Sequence, residues 1–234
     1  MKVILIGNGG HSRVIQDIIK ARDKEQLTAV LDDKYSYGFI DNDIYFGPVS
    51  DVEELLDEST RIVVAIGSNK TRKRISEELK GLPFATLIHP SAVISPSALI
   101  GNGTVIMPYA VVNAHSDIGD HCIVNTGAII EHDNHIESFT HVCPNVALTG
   151  QVTIGEGVEL GAASTVIPGI KVEEWSVVGA GSTVIHNVPP NSRIAGSPAR
   201  SIKKAMPIKF LQRSGGESFA ESKDIPLPTA HDRK

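Results

Sequence analysis

Aromatic residues are scarce in this sequence: 11 Phe, Tyr and Trp among 234 residues, or 5%. A core of that composition cannot lean on large rings and has to be built from aliphatic side chains. Cysteine is rarer still, at two, which excludes a disulfide scaffold. No apolar run approaches the roughly 20 residues that a membrane span needs. The apolar stretch that opens the chain is too short for a signal peptide. A positive charge balance is also missing: the formal charge of −5 offers no general attraction to nucleic acid or anionic membrane. What is present, 41% hydrophobic and 21% charged residues, is the balance of a globular protein and not of a disordered one. The expectation is a soluble, cytoplasmic protein with one large domain or two small ones.

Three zones differ in character. Over residues 1–88, β-rich runs at 2–6, 28–31, 61–66 and 86–88 alternate with helical stretches at 12–22, 50–56 and 70–79. That alternation predicts an α/β, Rossmann-like domain with a parallel sheet. The runs Val3-Ile4-Leu5-Ile6 and Ile62-Val63-Val64-Ala65-Ile66 suit strands covered on both faces. Residues 89–203 have almost no helical period. Residues 204–234, rich in Ser, Gly, Glu, Lys and Pro, read as a largely disordered tail.

The middle zone repeats every six residues. From Ile94, steps of six meet Ile100, Ile106, Val112, Ile118 and Val124, and so on to Val184: sixteen consecutive Ile, Val or Leu. Chance would produce such a run on the order of once in a billion trials. Two positions before each sits mostly a small or β-branched residue, as at Ala92, Thr104, Ser116 and Ser176. Directly after it glycine recurs, at Gly101, Gly119, Gly155, Gly161 and Gly179, read as turn-permissive. One such hexapeptide makes one flat side of a prism, and three sides make an 18-residue coil stacked at about 4.8 Å. A ring at an inward position would overpack so narrow a prism. Only Tyr109, Phe139 and Trp175 fall within 94–185, none at an inward sixth position. Phe139 and Trp175 are therefore candidates for interface or coenzyme contacts. Cys122 and Cys143, 21 residues apart, are out of step with the coil, so no bridge is expected.

This pattern resembles the hexapeptide-repeat acyltransferases, whose fold is a left-handed parallel β-helix. A repeat fold is not a function, so a purely structural prism and a zinc-dependent, carbonic-anhydrase-like trimer are rival readings at this point. The histidines bear on the choice, because five of the nine lie between 115 and 141. His132 follows inward Ile130 by two positions, at a corner, between Glu131 and Asp133. A carboxylate beside an imidazole raises its basicity and fixes its tautomer, which suits a general base. His132, His135 and His141 lack the His-x4-His spacing associated with the zinc β-helices, so no metal is expected, and His121 and His135 read as solvated bystanders.

Asn125-Thr-Gly-Ala-Ile-Ile-Glu-His132-Asp133, followed by His141-Val142, resembles the active-site segment of the bacterial sugar acetyltransferases. That family includes the UDP-4-amino-sugar N-acetyltransferases of the bacillosamine type and the sialic acid O-acetyltransferases. The resemblance implies that His132 is the catalytic base, that Asp133 polarises it, and that Asn125, His141, Ala162 and Ala180 line acetyl-CoA. It implies a homotrimer as well. His132 and His141 are half a coil apart, so they can share a site only if a neighbouring chain brings its own side alongside. The segment Val188-Pro-Pro-Asn-Ser-Arg-Ile-Ala-Gly-Ser-Pro-Ala-Arg200 resembles the terminus shared by hexapeptide acetyltransferases, close to the coenzyme.

At the amino terminus, Gly7-Asn8-Gly9-Gly10-His11 follows a strand and opens a helix, where backbone N–H groups attract phosphate. As a dinucleotide fingerprint it is imperfect, with Ser12 where the third glycine belongs. An NAD enzyme would also lack an acid–base pair in this zone. In the sugar acetyltransferases this half holds a UDP-sugar, and the resemblance assigns that site to Gly9, Gly10, His11, Asp32, Asp33 and Gly67. The expected function is acetyl-CoA-dependent N-acetylation of a nucleotide-activated amino sugar for surface-glycan or exopolysaccharide synthesis. Acetylation of a sugar or sialic acid hydroxyl, or a non-catalytic scaffold in a polysaccharide-synthesis complex, are the alternatives.

Overall fold

The structure, a computed structural model, describes residues 1–202; the tail at 204–234 lies outside the described residues. The chain opens with β1 (Lys2–Ile6), α1 (Gly10–Lys20) and β2 (Gln26–Leu31), followed by the hairpin β3 (Phe39–Asp41) and β4 (Ile44–Gly47). A 3-10 helix (Val49–Leu55), β5 (Thr60–Val64) and α2 (Asn69–Glu78) complete this part. The sheet order is β3-β4-β2-β1-β5, parallel except for the edge strand β3. Val3 through Ile6 are fully buried because one face meets α1 and the coil while the other meets Val52, Ile62 and Ile75. Each such aliphatic contributes about 1.5–3 kcal/mol of burial.

The hairpin β3–β4 is not foreseen by the sequence reading. Its turn places Asn42 and Asp43 at φ 48° and 61°, the left-handed pair of a tight hairpin turn formed here without glycine. The scarce rings gather here: Tyr35, Phe39 and Phe46 pack at centroid distances of 5.4 to 6.1 Å.

From Leu87 to Val184 the chain winds as a left-handed parallel β-helix of two-residue strands on three faces. The first face carries Leu87–Ile88, Val105–Ile106, Ile123–Val124, His141–Val142, Glu159–Leu160 and Val177–Val178. The second runs from Val93–Ile94 through Ile129–Ile130 to Thr183–Val184, and the third from Leu99–Ile100 through His135–Ile136 to Lys171–Val172. Strands pair 18 residues apart, as Val112 with Ile130 and Ile130 with Leu148. The strand at Leu87–Ile88 ladders with Val105–Ile106, on the coil and not on the amino-terminal sheet. The last coil is two residues shorter: Val178 pairs with Ile194, and Val172 bridges Val188.

Inward positions from Ile106 to Val184 are 0–1% exposed, as the repeat requires. The small residues two positions ahead are buried too, and several tie one coil to the next. Thr104, Ser116 and Thr140 donate their hydroxyls to carbonyls 15 residues on, at 2.8, 2.6 and 3.1 Å. Asn134 fills one such place, donating to the carbonyls of Glu131 and Thr149 and accepting from the Val152 N–H.

The glycines after the inward positions need a different explanation from turning. The left-handed corners fall two residues later and are mostly not glycine: Tyr109, His115, His121, Asp133, Phe139, Asn145 and Trp175 all have φ between 54° and 62°, except His121 at 53°. At Gly119, Gly155 and Gly161 a Cβ would lie 2.5–2.6 Å from backbone of the following coil. Close stacking selects glycine there.

Candidate active site

The carboxyl ends of β1, β2 and β5 meet where strand order reverses around β1, the place where open α/β sheets hold ligands. Gly7 turns the chain at φ 106° and Gly9 precedes α1. A Cβ at Gly9, Gly10 or Gly67 would meet nothing within 4 Å, so these three predicted site residues leave open space along the backbone. Asp32 fastens the turn: one carboxylate oxygen accepts the Asn8 N–H at 2.7 Å and the other the Lys34 N–H at 3.0 Å. Each of its oxygens keeps a further lone pair beyond these bonds. Asp33 beside it is exposed.

His11, the second residue of α1, points at the coil. Its ring lies 6.5 Å from that of His141, and its Nε2 is buried with no hydrogen-bond partner. Burial, then the nearby Arg72 guanidinium, lower its pKa to about 4. His141 is lowered to about 4 by burial, Arg72 and His11 in that order. Both imidazoles are therefore neutral near pH 7. The Asn125 amide oxygen accepts the Thr126 N–H at 2.8 Å, so its NH2 group faces His141 Nε2 at 3.0 Å. With Nε2 accepting, the His141 proton resides on Nδ1.

Asn125, Ala162 and Ala180 follow three of the first-face strands, with one coil between Asn125 and Ala162, and form one edge, beside His141 on the same face. Ala162 and Ala180 are exposed. Cys143 occupies the same edge and Cys122 the interior; both are free thiols.

His132 and Asp133 sit at the next corner, after the second face, and no hydrogen bond joins them to the His11–His141 group. His132 Nδ1 meets Asp133 Oδ2 at 2.8 Å, so the short Asp side chain reaches the ring from its left-handed corner (φ 58°). Both side chains are about half exposed. With Nδ1–H held by the carboxylate, Nε2 is free to accept a proton. Gly150, one coil on, makes room for the ring: a Cβ there would lie 2.6 Å from His132 Cε1 and 2.7 Å from Nε2. Gly150 escaped the sequence reading because it breaks no motif.

Of the two histidines expected to be solvated bystanders, His121 departs from that expectation and His135 does not. His121 is buried, its ring stacked on Phe139 at 5.3 Å and edge-on to Phe84 at 4.5 Å; burial lowers its pKa. It fits because Gly103 below it lacks a Cβ, which would meet the ring. His135 stays exposed but has a partner, Asp117 on the neighbouring coil, at 3.5 Å. Trp175 lies under Lys70 and Lys73, at 5.9 and 5.5 Å. Among the described residues no group of three His, Cys, Asp or Glu could hold a metal ion, and no helix is long and apolar enough to cross a membrane.

Arg72, a large and fully buried cationic side chain, was not singled out from the sequence. It is 1% exposed and belongs to α2, whose N-cap Ser68 accepts from the Thr71 N–H. Burial lowers its pKa to about 10, so it remains cationic at neutral pH.

The PglD N-terminal domain family matches residues 2–79, and the bacterial transferase hexapeptide family (six repeats) matches residues 97–132. A Bacillus subtilis protein named UDP-N-acetylbacillosamine N-acetyltransferase is 46% identical over 106 residues, 43% of this chain and 49% of the relative. The match thus spans about half the length of that curated relative. Among solved structures, PerB from Caulobacter crescentus, in complex with CoA and GDP-perosamine, is 33% identical with a TM-score of 0.81 over 87% of this chain and 98% of PerB. The acetyltransferase domain of PglB from Neisseria gonorrhoeae, in complex with acetyl coenzyme A, is 33% identical with a TM-score of 0.78 over 86% and 98%.

Proposed function

This chain belongs to the sugar acetyltransferases of the hexapeptide-repeat superfamily, and from that premise we propose that it moves the acetyl group of acetyl-CoA to the amine of a nucleotide-activated amino sugar. The observation that carries the reading is the apposition of His11, from the amino-terminal glycine turn, with His141, from the coil edge of Asn125, Ala162 and Ala180. One chain thus presents a phosphate-binding type of turn directly against an edge with room for a pantetheine arm. The names of the similar proteins, which bind CoA with GDP-perosamine or acetyl-CoA, support the same substrate pair.

In this reading Gly9, Gly10, His11 and Gly67 approach the nucleotide-sugar, with Asp32 holding the turn and Asp33 meeting hydroxyls. The neutral sugar amine attacks the thioester carbonyl, and a new C–N bond forms as His132 Nε2 takes the amine proton. Asp133 holds the imidazole in the accepting tautomer and stabilises its cation. Neutral His141 offers Nδ1–H toward the coenzyme and the developing oxyanion. The C–S bond then breaks, and the proton on His132 passes to the departing CoA thiolate. Transfer is direct, because burial pushes the Cys122 and Cys143 thiols up to about 12 and about 11, away from the thiolate a covalent route needs.

A complete site in this reading needs a second chain, since the His141 edge and the His132 corner border the second face at its two opposite edges. A homotrimer supplies it. The outward residues of the second face, Val93, Val111, Ile129, Ala147, Thr165 and Thr183, carry no charge, and Val93 and Ile129 are 62% and 41% exposed, which supports self-association there. The enzyme would work in the cytoplasm, on sugars activated for surface-glycan assembly.

The test offers purified protein acetyl-CoA with UDP- and GDP-linked amino sugars, and with sialic acid, and follows release of free thiol. Thiol release with an amino sugar nucleotide is expected, and His132→Ala should abolish it while retaining coenzyme affinity. Release with sialic acid alone, or a fully active His132→Ala variant, overturns the proposal.

A further inference from the structure

Arg72 is a buried cation without a carboxylate partner among the described residues, and its five N–H donors meet five neutral acceptors. Nη1 donates to the carbonyls of Ile66 and Gly67 at 3.0 and 3.1 Å. Nε donates to the carbonyl of His121 at 2.7 Å, and Nη2 to the carbonyl of Phe139 and to Asn69 Oδ1, both at 2.8 Å. Asn69 in turn donates to the carbonyls of Gly157 and Val158 at 3.1 Å. One end of this network is the turn after β5; the other is the same corner on three successive coils, at residues 121, 139 and 157.

Burying a guanidinium is costly unless every donor is satisfied. A planar five-donor fork is rigid where a lysine ammonium is not. Holding the helix by apolar packing would leave it free to slide along the coil. This network does not, because four of the five acceptors are backbone carbonyls of fixed position and the fifth, Asn69 Oδ1, belongs to a side chain itself bonded to the coil. Phe139 lies two residues before His141, and Gly67 faces open space at the ligand end of the sheet.

We propose that Arg72 is a positioning residue: with Asn69 it locks the Gly67 turn to the coil that bears His141, and so sets the distance between the bound nucleotide-sugar and the acetyl group. The inference rests on the transfer reading above. Its cation also faces the imidazoles of His11 and His141 and disfavours their protonation. The other titratable groups facing His141 are Glu159, paired with it one coil on, and Cys143 on the adjacent edge.

The test compares wild type with Arg72→Lys, which keeps the charge and loses the fork, and Arg72→Gln, which loses the charge. Asn69→Ala, which removes the bonds to Gly157 and Val158 and one of the five acceptors of Arg72 while leaving the guanidinium in place, serves if either fails to fold. For Arg72→Lys the KM for the nucleotide-sugar should rise about tenfold and kcat fall about tenfold, the scale of a misplaced reactant. Coenzyme affinity by calorimetry should change less than about twofold, since Arg72 bonds to none of Asn125, His141, Ala162 and Ala180. For Arg72→Gln the acidic limb of the kcat profile should move to higher pH. Independently of turnover, amide exchange at 66–69 and 139–141 should accelerate together in each folded variant. If wild type transfers no acetyl group, the transfer reading fails, and the exchange experiment still judges the lock. Variants that lose only thermal stability, with unchanged KM, kcat and pH profile and no coupled exchange, would reduce Arg72 to a folding residue and overturn the inference.

Discussion

At the scale of single residues, the site depends on atoms that are missing as much as on those present. His132 has its place because Gly150 has no Cβ, and the ring is then oriented by Asp133 at 2.8 Å. Gly150→Ala should displace the imidazole and lower kcat about 10- to 100-fold, the cost of roughly an ångström of misplacement. Its melting temperature should stay near that of wild type, and steady-state kinetics with a thermal melt check both. His11 and His141 yield a pH prediction of definite sign. Their folded-state values near 4 lie below the unfolded value of 6.5, so the unfolded chain binds more protons between those limits. Stability contributed by keeping them neutral is whole above about pH 6.5 and is lost as pH falls toward 4. Melting temperature should drop across that window, and His11→Asn should flatten the drop.

At the scale of elements, the coil is a ladder in which each position has one task. Inward aliphatics fill it, hydroxyls ahead of them tie successive coils, left-handed corners turn it, and glycines let backbones meet. Leu148→Ala, at a fully buried rung, should cost about 2–5 kcal/mol of stability by the cavity it leaves. Gly155→Ala should cost about 1–3 kcal/mol by overpacking, because its Cβ would lie 2.5 Å from the Glu174 nitrogen. Denaturant titration measures both, and a Gly155→Ala variant as stable as wild type would refute the stacking account. The six-residue period was readable because burial at every third of a turn imposes it on every coil. The corner at 103, 121, 139, 157 and 175 was not, because its alternation of glycine with His, Phe and Trp depends on what α2 lays against it. The hairpin β3–β4 escaped for a related reason, its Asn42-Asp43 turn lacking the glycine that marks such turns in a sequence.

At the scale of the whole molecule, two kinds of connection decide function: the one inside the chain, through Arg72 and His11, and the proposed one between chains. If His132 and His141 of different chains share each site, two inactive variants should complement. Co-expressed His132→Ala and His141→Ala chains that mix at random in a trimer should regain activity at about a quarter of the sites. No recovery from a mixed trimer, verified by mass, would show that each chain works alone. Sedimentation of the wild type checks the assembly itself.

The opening shortage of rings marks the division between sequence and tertiary structure. An 18-residue coil must bury an aliphatic at each sixth position, so a periodic sequence declares the β-helix, its phase and its lack of interior aromatics. Gly7, at φ 106°, and Asp32, which accepts the Asn8 and Lys34 N–H groups, similarly announce the ends of β1 and β2, since the turns there need them. What only the folded molecule decided is where distant groups meet: His11 against His141, Gly150 beneath His132, and Arg72 among five carbonyl and amide oxygens. Contacts of that kind follow no period, because they arise from two elements packed together, each of which keeps its own pattern whichever partner it meets.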